Sequence, residues 1–207
     1  MGGKSAAAVL ALSLSATTAA AAPRRYTVDA AASQVVIHVG KAGLFRFAGH
    51  GHEVVAPIHQ GSAVVDPDHL ESASVELAFP AAALRVTGRG EPAGDVPKVQ
   101  QAMVGPECLD AGRFPSIRFA SRAVTVKARS GDAFDVVMRG ELTLHGVSRE
   151  VLVPVHVVVG KDGIRATGTT KVRQTSFGIK PISVAGVVNV KDELEIAWTV
   201  VTRASPR

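Results

Sequence analysis

The run from Gly140 to Val159 constrains this chain most. Gly140-Glu141-Leu142-Thr143-Leu144 reads as a strand, His145-Gly146-Val147-Ser148 as a tight polar turn, and the residues up to Val159 as a second strand. On that second strand Val151, Val153, Val155, Val157 and Val159 share one face, and Leu152 and Val158 lie on the other. Side chains alternate across a strand, and an antiparallel strand with one wet face alternates apolar with polar. Two apolar faces predict that both are covered, by a second protein layer or by an apolar ligand inside a barrel.

The rest of the chain repeats the β pattern. Strands are expected at Tyr26–Asp29, Gln34–Val39, within Leu44–Val65, and at Ala73–Phe79, Arg113–Ala128, Phe134–Leu144, Glu150–Val159, Ile164–Val172, Ile182–Val190 and Leu194–Val201. Gly40-Lys41-Ala42-Gly43 and Asp66-Pro67-Asp68 read as turns, and Gly49, Gly51 and Pro57 as bends in the long second segment. One helix is expected, Pro97–Leu109, with Asp95 as its cap and Gly105-Pro106 to break it. Many short strands joined by Gly/Asp turns indicate a sandwich or barrel. A single helix beside about eight strands fits an all-β, eight-stranded antiparallel lipocalin-like barrel with one short flanking helix. A transmembrane barrel needs aromatic girdles at both interfaces, and this chain has one Trp and one Tyr.

The chain has 207 residues. Residues 1–22 form a secretory signal: Lys4, a short apolar run from Ala6 to Ser15, and small residues at Ala19–Ala22. That run falls short of the roughly 20 apolar residues a membrane span needs. The domain then occupies 23–207, with the mature start near Ala20–Pro23 and a periplasmic or secreted product. The single cysteine, Cys108, excludes an internal disulfide; it reads as a buried small apolar residue. The net charge of +5 is spread along the strands. Scattered cations fit a solvated surface that meets anionic lipid heads. Nucleic acid is a poor partner for a chain with no basic run and few aromatics.

Four segments together resemble the YceI-like family. They are Tyr26-Thr27-Val28-Asp29 followed by Ser33; Leu109-Asp110-Ala111-Gly112-Arg113-Phe114-Pro115 with Phe119 and Ser121; Gly140-Glu141-Leu142-Thr143-Leu144-His145-Gly146-Val147-Ser148; and Arg173-Gln174-Thr175-Ser176-Phe177-Gly178. The resemblance implies an exported, non-enzymatic, lipocalin-like barrel whose apolar lumen holds a polyisoprenoid or other long-chain lipid, with no further cofactor.

Beside the resemblance, the residues themselves nominate a site. Val151, Val153, Val155 and Val157, with Val35–Val39 and Val184–Val190, would line an apolar lumen. A plain closed core is the alternative. Arg173 stands where a guanidinium near the barrel mouth could clamp a phosphate, or pair with Asp29 or Asp110. Phe177 reads as a core plug facing the lumen, and Gly178 as a residue with positive φ. His50 and His52 share a strand face and could meet one metal, with His38, His59, His145 or Glu53 as further ligands. Two imidazoles are half a tetrahedral site, so this metal-binding reading ranks second.

Overall fold

The computed structural model describes residues 22–42, 51–89, 92–184 and 188–205. In chain order the elements are β1 (Arg24–Val28), β2 (Gln34–Ala42), β3 (His52–Val55), β4 (Gln60–Val65), β5 (Ser74–Pro80), β6 (Arg85–Val86), α1 (Val96–Val104), β7 (Ser116–Ser130), β8 (Ala133–Leu144), β9 (Val147–Val159), β10 (Ile164–Arg173), β11 (Ser183–Val184) and β12 (Val188–Ala204). Short 3₁₀ turns occupy Leu70–Ser72, Ala81–Ala83 and Gln174–Phe177.

Several of these strands are halves of one. β1 and β2 follow each other along the same edge of β12, Tyr26 opposite Ala204 and Gln34 opposite Thr199. β3 and β4 are divided around Pro57, and β5 and β6 by the turn at Ala81–Ala83. With the halves joined, eight antiparallel strand positions close on themselves, since β1 pairs with both β4 and β12. The expected eight-stranded antiparallel barrel with one helix is therefore the fold.

The described residues form two apolar clusters in the barrel. One gathers Tyr26, Leu70, Phe134, Val155 and Val157 near the Leu70–Ser72 turn. The other gathers Leu84, Leu109, Leu144, Phe177 and Ile179 near α1. Alternation produces both: on β8, Phe134, Val136 and Met138 are buried while Asp135 and Arg139 are exposed.

Local expectations needed correction in five places. The strand β2 runs through Lys41 to Ala42, where a turn was expected. The helix ends at Val104, one residue before Gly105-Pro106, and does not reach Leu109. Asp95 stands at its N-cap position, but the carboxylate caps no amide; it lies 3.7 Å from the Lys98 ammonium. The segments Ile182–Val190 and Leu194–Val201 are not two full strands. A two-residue β11 folds onto the start of the 17-residue β12, which absorbs a register shift between Val190 and Leu194. Finally, only one face of β9 is covered. Leu152 is 61% exposed and Val158 40%, because the barrel wall is a single layer and, among the described residues, no element covers these two side chains.

Candidate functional site

Inside the barrel is a cavity of about 800 Å³ whose lining draws on both apolar clusters. That lies within the ~300–1,000 Å³ range of small-molecule sites. Val151, Val153, Val155 and Val157 all line it. They come from one face of β9, and the steps from Val151 to Val157 cover about 20 Å. Val35, Ile37 and Val39 of β2 line it too, as does Val190 of β12. Val75, Leu77 and Phe79 of β5 and Phe119 of β7 also line it. The alternation in Ala73–Phe79 already carried that signal. Sequence reasoning did not place Trp198 or Met103 in the lining, because inward direction on β12 and α1 depends on where those elements sit.

The lining holds few polar groups, among them His52, Ser62, Thr170, Gln174 and Thr202, with Asp95 and Lys98 where α1 crosses. Such a surface recognises apolar volume. Cys108 lines it as well, half-buried, and burial pushes its thiol pKa up. A raised pKa leaves little thiolate, the form that reacts.

The remaining nominated residues separate. Arg173 is exposed and is not part of the lining. It pairs with neither expected carboxylate by hydrogen bond; Asp29 is held by the guanidinium of Arg203. Phe177 is 1% exposed and sits in the cluster near α1, outside the cavity lining. Gly178 has the expected positive φ, 72°. His50 lies outside the described residues. His52 faces the lumen beside Val54 and Ala56. Its proposed co-ligands point elsewhere. Glu53 lies on the opposite face, 3.3 Å from the Arg89 guanidinium and 4.0 Å from His38, and His59 is exposed. Among the described residues no three His, Cys, Asp or Glu side chains converge as metal ligands.

The four motif segments fasten the barrel. Ser33 Oγ donates to the Asp29 carbonyl at 2.7 Å and accepts from the Val201 amide at 2.9 Å. It thereby locks the step between β1 and β2 onto β12. Arg203 first, then the amide of Ala32, holds the Asp29 carboxyl below the ordinary carboxylate range. The other motifs meet at the β8–β9 hairpin. His145, at φ 51°, stacks edge-on against Phe114 with ring centroids 4.5 Å apart, and its Nδ1 is 3.3 Å from the Phe177 carbonyl oxygen. Gly146 permits this contact, since a Cβ there would lie 2.5 Å from the Phe114 ring.

Comparison with known proteins agrees with this architecture. The barrel resembles a polyisoprenoid binding domain from Saccharophagus degradans implicated in plant cell wall breakdown (TM-score 0.63, 10% identity, 87% of this chain and 98% of that one). It also resembles BcnA of Burkholderia cenocepacia (TM-score 0.60, 20% identity, 84% and 98%). At these identities the likeness concerns the fold. A UPF0312 protein of Shewanella sp. strain W3-18-1 is 39% identical over 82 residues, 37% of this chain and 41% of the relative's own length. The match thus spans less than half of that relative. The model of the YceI-like domain matches residues 26–202, nearly all of the barrel, and this chain belongs to that family.

Proposed function

We propose that this protein is a soluble, exported binding protein that sequesters a long-tailed amphiphile, a polyisoprenoid or similar lipid, in the barrel lumen without catalysis. The carrying observation is the apolar cavity of about 800 Å³ with its face of β9 valines. Each methylene moved from water into such a space contributes about 0.8 kcal/mol, so a tail binds firmly without a charged clamp. The Saccharophagus degradans domain of like fold, named for polyisoprenoid binding, supports the ligand class. The signal-like start at residues 1–22 supports export, with cleavage near Ala20–Pro23.

The test is native mass spectrometry and N-terminal sequencing of the protein taken from its own host. The expected result is a mature start near Ala20–Pro23 and a co-purified lipid that solvent extraction removes. A bare polypeptide that also fails to take up added farnesol would overturn the binding reading. A retained Met1 on protein in the cytosol would overturn export.

A further inference from the structure

Strand β9 is registered with β8 from Leu144–Val147 to Ala133–Val158, almost its full length. On its other side it is registered with β10 only from Ile164–Val159 to Thr167–His156. Beyond that point residues 147–155 and 168–173 run side by side outside the ladder. From Gly168 to Arg173 this seam is about 17 Å long.

Chemistry stops the ladder where it does. The N–H and C=O of one antiparallel residue point to the same neighbour, and adjacent residues alternate. Thr170 Oγ1 donates to the Leu152 carbonyl at 3.3 Å, so Leu152, Pro154 and His156 present their backbone groups to β10. After His156–Thr167 the next bonded pair would be Pro154–Thr169. Proline has no N–H to give. Gly168 sits at the same fork. A Cβ there would lie 2.4 Å from the Pro154 carbonyl oxygen and 2.5 Å from the Trp198 ring. The far end of the seam is stitched by Arg149 Nε donating to the Ser176 carbonyl at 3.0 Å.

The seam also separates unlike surfaces. Val151 and Val153 on one lip, and Thr170 and Val172 on the other, line the cavity. Leu152, the most exposed large apolar side chain among the described residues, stands outside on the same lip. We propose that the β9–β10 seam is a lateral port of the lumen, through which an apolar tail slides between Val151–Val155 and Gly168–Val172. Leu152 receives the tail on the outer surface. Opening breaks few backbone bonds because few are made. This proposal rests on the lumen-binding reading above.

Two independent closures test it, with cis-parinaric acid as the probe and its release into phosphatidylcholine vesicles as the readout. Pro154→Val restores the missing donor. In a Cys108→Ala background, Leu152→Cys with Lys171→Cys can be joined across the seam by a short bifunctional thiol reagent. Release should slow about tenfold in Pro154→Val, the factor by which one or two added hydrogen bonds raise an opening barrier. It should slow further in the linked protein than in its unlinked form. Equal release from linked and unlinked protein would overturn the port while leaving lumen binding intact. Failure of the unlinked proteins and the wild type to bind the probe at all would overturn both readings together.

Discussion

Among the described residues the barrel wall is broken at two places, and the two breaks are treated differently. Strand β6 extends past the β5–β7 ladder, which ends at Pro80–Ser116, and one of its edges is left without a strand. There α1 supplies the missing partner: Gln100 accepts from the Val86 amide and donates to the Leu84 carbonyl, both at 2.9 Å. One side-chain amide satisfies both backbone groups at a site where Leu84 and Val86 are buried. The β9–β10 seam has no such patch. One threonine hydroxyl crosses it in the middle and one arginine closes its end. A break that is buried must be satisfied, because an orphaned polar group there costs about 1–3 kcal/mol. A break open to water carries no such penalty and can remain as a moving part.

The comparison depends on β9 having a dry face and a wet one, and the largest effect tests that. Val155 is buried in the lumen wall, whereas Val158 is exposed. Val155→Asp should cost about 3 kcal/mol or more, from a carboxylate buried without a partner. The folded fraction should hold no extractable tail. Val158→Asp should stay within about 0.5 kcal/mol of the parent and keep its lipid. Denaturant titration and lipid extraction of both variants check this; equal losses would erase the distinction between the faces.

Next come the two bridges themselves. Gln100→Ala strips partners from two buried backbone groups and should cost about 2 kcal/mol in urea unfolding. Thr170→Val removes a half-exposed bond from the seam and should change stability by less than about 0.5 kcal/mol. Only the threonine variant should speed probe release at unchanged stability. The reverse ranking would mean that the seam, and not the α1 patch, carries the wall.

The smallest effect concerns the turn that closes the far end of the seam. The amide and then the hydroxyl of Thr175 donate to the Asp192 carboxylate at 2.8 and 2.7 Å, and with the more distant charge of Arg173 they hold its pKa below the ordinary 3.8. A carboxyl with a depressed folded pKa stabilises above its unfolded value and loses that contribution as the pH falls through the folded value. The melting temperature of Asp192→Asn should therefore sit slightly below wild type near pH 7 and converge with it in acid, below pH 3.8. Scanning calorimetry from pH 7 to 3 reads this directly. A gap that widens in acid would give Asp192 a different role.

Much of this was legible in the sequence. Alternation on β8 and β9, the His145-Gly146 turn and the Gly/Asp punctuation determined an all-β chain of about eight long strands. Four spaced motifs pointed to the family, and the β9 valines to the lumen. These are local signals with a period of two residues, and local sequence carries them whole. Other features exist only once distant strands meet. The chain could not say that the outer face of β9 would stay bare, since coverage depends on how many layers the fold has. It could not show that Phe177, His145 and Phe114, from three separate motifs, would meet at the β8–β9 hairpin. Pro154 was visible from the start, but its consequence was not. A proline matters to a ladder only on the side its absent N–H would have faced. For Pro154 that side was fixed by the register that sets β10 against β9.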